Sequence, residues 1–325
     1  YLIIIIKSPL VVYRYLNLEK LDGVSFRGRW ENLYLNSKIL GKKLHWIHFC
    51  FATTVFRKEN VAKAINAKMG VSLRGYDINV YPLKNPNCYD LLWEKVDKVH
   101  SISYSLLERA KSLNLENNKK QIIIYPAVNK DYFKNNKSSK DLSSKNKIEI
   151  LTVARLHWIK GLEYTIQALA KLKDTNFNYT IIGSGAEYDR ILLAINHFDL
   201  TDRVKILSHV PHSDLKNFYK KADFYLQYSL EEGYCNSVLE AQSMGLLTIV
   251  SDASGLKENV IHGKTGWVVP KREPNLLAKK IEHIIRMDFA KLNTIRSAGQ
   301  VRARNNFDLK IQNDQFNIFF NEDIF

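Results

Sequence analysis

Glu232 and Glu240 stand eight positions apart in Glu232-Gly233-Tyr234-Cys235-Asn236-Ser237-Val238-Leu239-Glu240, with a glycine turn between them and a helix expected to start at Asn236. This spacing suits a sugar attached to a phosphate. Asn236 or Ser237 is the expected N-cap; Val238, Leu239 and Ala241 give the helix an apolar side, and Met244-Gly245 supplies its stop. Unpaired N–H groups and a partial positive charge at such a helix start make a natural seat for a diphosphate. Glu240, about 6 Å along the same face, can accept from two adjacent hydroxyls such as a ribose diol. Glu232, in the loop, can reach hydroxyls on the sugar that the phosphate carries. The plainer alternative is an acidic helix start favoured by the dipole alone.

Two cations stand in a similar setting. Val153-Ala-Arg155-Leu-His-Trp-Ile-Lys160-Gly161 reads as the carboxyl end of a strand and the start of the next helix. Arg155 offers a rigid fork and Lys160 a mobile point charge, a combination that stabilises the charge on a departing diphosphate, although basic residues in such a loop are often only solvated. Gly183-Ser-Gly185 after a strand either lets backbone approach a nucleotide or makes a tight turn. Asp252 and Glu258 read as solvent or cap residues. The nine histidines show no metal-ligand spacing, and His48 in an apolar strand pattern reads as a satisfied core residue.

These residues need strands and helices to carry them. Buried-type strands are expected at 148–153, 179–182, 204–207, 224–227 and 247–250, with helical patterns between them, including an amphipathic helix over 161–173. The first half alternates less regularly, with strands expected at 44–49, 71–73, 98–102 and 121–124 and helices at 61–69 and 105–113. Strands alternating with helices imply parallel, doubly wound sheets, whose ligands bind beyond the carboxyl ends of the strands. The polar stretch 134–146 reads as an interdomain linker or an exposed loop.

At 325 residues the chain has length for two domains, and 46% hydrophobic with 25% charged residues is the composition of a globular protein rather than a disordered or membrane-spanning one. The charge is uneven: 25 Lys and Arg against 12 Asp and Glu through residue 145, but 23 against 21 after it. A basic half points to nucleic acid, an anionic membrane surface or a phosphorylated substrate, or simply to a lysine-rich genome. Its Lys and Arg are not interleaved with an aromatic platform, which argues against nucleic acid. Cys50, Cys88 and Cys235 show no metal or disulfide spacing, and no basic segment precedes the apolar Tyr1-Leu-Ile-Ile-Ile-Ile6 as in a signal peptide, so a cytoplasmic protein is expected.

Taken in order, five blocks of the second half resemble the retaining, nucleotide-sugar-dependent glycosyltransferases of the group 1 or family 4 type. They are Val153 to Gly161, Ile182-Gly-Ser-Gly185, Glu232 to Glu240, Ser251-Asp-Ala-Ser-Gly-Leu-Lys-Glu258 and His262-Gly-Lys-Thr-Gly-Trp-Val-Val-Pro270. Val71-Ser-Leu-Arg74-Gly-Tyr-Asp77, Asp97 to Ser103 and Ile124-Tyr-Pro-Ala-Val-Asn129 extend the resemblance more loosely into the first half, closest to enzymes of capsule, exopolysaccharide and colanic acid synthesis.

The resemblance implies an α/β fold of the GT-B type, two Rossmann-like domains with parallel sheets facing a central cleft. Residues 1–140 would form an acceptor-binding domain, 141–300 the nucleotide-sugar domain, and 301–325 a helix returning to the first, with Phe307, Ile311, Phe316 and Phe319 or Phe320 on its buried side. Glu232, Arg155 and Lys160 would be catalytic. Gly183, Gly185, Gly233, Tyr234, Cys235, Asn236, Ser237 and Glu240 would hold the donor, a UDP- or GDP-sugar, with no metal and no further cofactor. Arg74 and Asp77 would lie on the acceptor side, Arg74 where the family has a histidine. The implied partner is a lipid-linked saccharide acceptor, with peripheral contact at the inner face of an anionic membrane. The family's opening strand and glycine-rich loop have no counterpart before Tyr1, so an N-terminally incomplete chain is expected. A GT-B nucleotide-sugar epimerase, or a degenerate transferase serving as a binding module, are the competing readings.

Overall fold

The computed structural model describes residues 2–135, 142 and 145–321. They fall into two compact units, Tyr1–Ile124 with Phe316–Phe325, and Tyr125–Gln315. Most of the stretch 134–146 expected as a linker lies outside the described residues, although Leu142 is buried in the core of the second unit. No helix of the described residues is long and apolar enough to cross a membrane.

The first unit is built on a four-stranded parallel sheet in sequence order, β1 (Trp46–Phe49), β2 (Lys68–Leu73), β3 (Lys98–Ser101) and β4 (Lys120–Ile123). All of β3 and nearly all of β2 are buried, as parallel strands covered on both faces must be. The expected helix over 61–69 is only Val61–Ala64. Asn66 turns into the left-handed region at φ 59°, and the chain enters β2 at Lys68, where pairing to β1 and β3 outweighs local helix propensity.

Within this unit one polar chain crosses three strands. His48 on β1 meets Ser72 Oγ at 2.7 Å, Ser72 Oγ lies 2.8 Å from His100 Nδ1, and His100 Nε2 lies 3.0 Å from the carbonyl of Ile124. A carbonyl only accepts, so His100 carries its proton on Nε2, Ser72 donates to His100 Nδ1, and His48 Nε2 donates to Ser72. His48 is therefore satisfied on one side only, because its buried Nδ1 has no partner among the described residues. Burial pushes both imidazoles down to about 4, with the positive charge of Arg74 adding to the effect.

The last turns of the helix Leu309–Asn321 pack on the same unit. Phe319 is buried against Trp46 and His48, and Lys98 Nζ donates to its carbonyl at 2.6 Å. Ile311, expected on the buried side, is instead exposed, and Phe307 is buried but precedes this helix, at the end of Phe289–Asn306. The final segment is thus two helices with a break at 307–308, and the break rotates the apolar face away from Ile311.

The second unit holds six parallel strands in the order β10-β9-β8-β5-β6-β7. These are β5 (Ile148–Val153), β6 (Phe177–Ile182), β7 (Val204–Leu207), β8 (Phe224–Gln227), β9 (Leu247–Ser251) and β10 (Trp267–Val269). The chain runs outward from β5 through β6 to β7, then returns and builds outward again from β8. The order therefore reverses between β5 and β8, and a doubly wound sheet opens a crevice at the carboxyl ends of such a pair. The amphipathic helix expected over 161–173 is Leu162–Leu169, burying Leu162, Ile166 and Leu169 against the sheet.

Candidate functional site

The loops that leave β5 and β8 flank that crevice and carry Arg155, Lys160 and Glu232. Their shape depends on two close approaches. Gly183, after β6, has φ 151°, and a Cβ there would stand 1.9 Å from the carbonyl oxygen of Ala154. Only glycine lets the 183–185 turn lie against the 154–156 loop, where Leu156 N–H also donates to Ser184 at 2.8 Å. The Gly-Ser-Gly turn, Gly185 included, thus acts as a support for the Arg155 loop. Gly255 does the same for the β8 loop, since its Cβ would stand 2.1 Å from the carbonyl oxygen of Gly233, and its N–H donates to the Glu232 carbonyl at 2.9 Å.

On this support Lys160 and Glu232 form an ion pair. Ser229 Oγ donates to the same oxygen of Glu232, Oε1, at 3.0 Å, and Gln227 Nε2 approaches it at 3.5 Å. Oε2 has no partner among the described residues and is left as an acceptor. Arg155 is exposed, and its guanidinium meets no partner among the described residues. The two loops at the switch point thus carry an exposed arginine and a carboxylate whose one oxygen is held by the shielded Lys160 ammonium.

The helix Asn236–Ser243 follows, but its N-cap is Cys235 and not Asn236 or Ser237. Both expected caps lie in the first turn, where Ser237 Oγ accepts from Tyr225 at 2.7 Å. No side chain caps the helix. Asn259 holds the entry from outside, accepting from Cys235 N–H at 3.0 Å and donating back to its carbonyl at 3.3 Å. The first-turn N–H groups keep their donor capacity for an anion. Cys235 is buried and its thiol is pushed up to about 11, which makes it a packing residue and no nucleophile. Tyr234 is buried with its ring against Tyr125 and Phe307, so it contributes backbone rather than its side chain to the loop.

Glu240 lies one turn into the helix, held by two residues that the sequence did not point out. Tyr219 donates to Oε2 at 2.8 Å and His212 Nε2 lies 3.3 Å from Oε1. Burial raises its carboxyl above the ordinary range, opposed by these hydrogen bonds. Gln227, Ser229, His212, Tyr219 and Asn259 all escaped the sequence reading. Their one local signal is polarity within a buried strand end, as at Gln227.

Residues 133–302, just over half of the chain, match the family described as glycosyl transferases group 1. The chain belongs to this family. As a group 1 glycosyl transferase it is 36% identical over 139 residues to the amylovoran biosynthesis glycosyltransferase AmsK of Erwinia amylovora, covering 40% of this chain and 34% of that protein. It is 28% identical over 174 residues to the putative colanic acid biosynthesis glycosyltransferase WcaL of Escherichia coli K12, covering 51% of this chain and 43% of the other. The chain thus spans less than half the length of these curated relatives. Among solved structures it is similar to a glycosyltransferase of Rickettsia africae, with a TM-score of 0.74 at 23% identity over 90% of this chain and 80% of that one. HepE of Anabaena in complex with UDP and glucose gives a TM-score of 0.77 at 20% identity, over 90% and 81%. The fold of this group 1 glycosyl transferase is accordingly α/β of the GT-B type.

In the first unit, Arg74 follows β2, donates from Nε to the Cys50 carbonyl at 3.0 Å and lies over the Phe51 ring. Asp77 is fully buried, accepting from the N–H groups of Gly75 at 2.8 Å, Arg74 at 3.1 Å and Ala52 at 3.2 Å. Burial raises its carboxyl and these donors oppose the rise. The carboxylate shapes the Arg74 loop from within and has no face to offer a ligand.

Proposed function

We propose that this group 1 glycosyl transferase moves a hexosyl group from a UDP- or GDP-sugar to a lipid-linked or polysaccharide acceptor, with retention at the anomeric carbon and without a metal. The observation that carries the reading is the Oε2 of Glu232, without a partner among the described residues and held beside Lys160 at the reversal point of the sheet, with Arg155 in the same loop as Lys160. In the reaction the bond from the anomeric carbon to the β-phosphate oxygen breaks, a bond to the acceptor oxygen forms on the same face, and the acceptor's proton leaves toward the departing diphosphate. Arg155 and Lys160 balance charge developing on that diphosphate, together with the first-turn N–H groups of the helix from Asn236. Glu232 accepts from hydroxyls of the transferred sugar, and Glu240 from the ribose diol.

The names of the relatives from amylovoran and colanic acid synthesis support a surface polysaccharide as the product's destination. The UDP and glucose bound by HepE support a UDP-sugar as donor. Arg74 would meet phosphate or hydroxyl groups of the acceptor, with Asp77 positioning its loop. The basic first half fits a cytoplasmic enzyme working at an anionic membrane face. A thermal-shift screen against UDP-, GDP- and ADP-sugars tests the reading, because a ligand of the folded state raises the midpoint by an amount that grows with the logarithm of its concentration over its dissociation constant. A shift with one sugar nucleotide, followed by release of its free nucleoside diphosphate on adding an acceptor extract, is the expected result. No shift with any of them would overturn it.

A further inference from the structure

The second unit contains a cavity of about 1110 Å³ at the opposite end of its strands. Glu149 at the start of β5, Asp223 just before β8 and Leu246 just before β9 line it, together with the helix Phe289–Asn306. None of the groups assigned to donor or acceptor lines this cavity.

Its charges do not balance. Among the described residues five cations line it, Lys145, Lys147, Lys220, Lys221 and Arg296, against two carboxylates. Both carboxylates are engaged by the protein: Asp223 by Lys145 and by Glu149 N–H at 3.0 Å, Glu149 by Asn178 Nδ2 at 2.8 Å. Lys147, Lys220, Lys221 and Arg296 have no carboxylate within ion-pair distance among the described residues. Arg296 is half-buried and, among the described residues, bonded only to Asn293 on its own helix, at 2.6 Å. Burial lowers its pKa, and the charge of Asp223 offsets this only in part. A partly desolvated guanidinium whose nearby carboxylate, Asp223, is already paired with Lys145 is costly unless a further anion completes it.

The remaining lining narrows the ligand. Ser297, Gln300 and Asn146 offer neutral donors and acceptors, and no aromatic ring on which a base could stack is present among the described residues that line it. The volume lies at the upper end of small-ligand cavities, far beyond the needs of a single phosphate. We propose that this cavity binds an acidic oligosaccharide, a short sugar chain bearing carboxylate or phosphate groups, with Arg296 as its central anion contact and Lys147, Lys220 and Lys221 around it. The proposal stands independently of the donor site.

The test uses the full chain and three probes in titration calorimetry at low and moderate salt: tetragalacturonate, neutral maltotetraose and inorganic tripolyphosphate. Tetragalacturonate is expected to bind one per chain, more weakly as salt rises, and maltotetraose not to bind. Arg296→Gln and Lys221→Gln should each weaken tetragalacturonate at least about tenfold for Arg296 and a few-fold for Lys221, while leaving the thermal shift with a sugar nucleotide unchanged. The exposed Lys221 guards against a loss that merely reports unfolding of the Arg296 variant. Equal affinity in wild type and both variants, or no binding of tetragalacturonate, overturns the proposal. Binding of tripolyphosphate alone overturns the saccharide assignment.

Discussion

The ammonium of Lys160 lies against Oε1 of Glu232 with side-chain exposures of only 13% and 9%, and Ser229 and Gln227 approach that same oxygen. Among the described residues the donors all converge on one carboxylate oxygen, so the pair is neutralised on that side while Oε2 is left without a partner. A diphosphate entering at the β5–β8 reversal would meet a Lys160 already oriented, and would compete with Glu232 for it.

Because the pair is enclosed, each half depends on the other. Neutralising one partner by Glu232→Gln or Lys160→Met leaves a buried charge, expected to cost about 3–5 kcal/mol. The double variant should recover most of that stability. Sugar transfer should be lost in all three. Urea unfolding midpoints and turnover measured side by side check this, and a double variant that is both stable and active would remove Glu232 and Lys160 from the chemistry.

How far the chain could be read depended on the range of the interactions. Strands β5, β8 and β9 were legible because each is a short, largely apolar run that the sheet buries almost throughout. Val61 to Met69 misled because its helix pattern is local, whereas the pairing that claims Lys68–Leu73 comes from β1 and β3. The helix start at Asn236 was visible, but its entry is held by Asn259, 24 positions away, in place of a local cap. The donors on Glu240 likewise come from 21 and 28 positions away. Residue types at Glu232 and Glu240 pointed to a candidate site; what orients them is tertiary.

Glu240 supplies a second test, through Tyr219. Its hydroxyl donates to Oε2 while its ring is packed between Phe133 and Tyr225, so Tyr219→Phe removes a hydrogen bond and little else. UDP or GDP affinity should fall about fivefold, as expected for about 1 kcal/mol, and the preference for the ribonucleotide over its 2′-deoxy form should shrink. Unchanged discrimination in isothermal titrations would dissociate Glu240 from the ribose.

The β8 loop depends on a glycine that touches no ligand. Gly255→Ala places a methyl 2.1 Å from the carbonyl oxygen of Gly233, a backbone atom that cannot swing away. The loop carrying Glu232 must shift, with a loss of about 1–3 kcal/mol and a disproportionate fall in turnover. Thermal midpoint and turnover of the variant, compared with wild type, check both parts; full turnover would show that the Glu232 loop tolerates displacement.

In the first unit the His48–Ser72–His100 chain predicts how stability responds to acid. Burial holds His100 at about 4 in the folded chain, against 6.5 for an ordinary imidazole. Between those values the unfolded chain binds a proton that the folded chain refuses, so stability falls as pH drops from 6.5 toward 4 and this contribution is neutral above 6.5. Arg74, whose positive charge adds to the shift on both histidines, and the rings of Phe316 and Phe319 face the same imidazole without supplying a counter-charge. His100→Asn keeps a polar side chain but removes the titration. The variant should be less stable than wild type at pH 7, and the gap should narrow by up to about 3 kcal/mol by pH 4. Urea unfolding at a series of pH values measures that gap directly, and a gap that stays constant across the range would mean that His100 titrates normally in the folded chain.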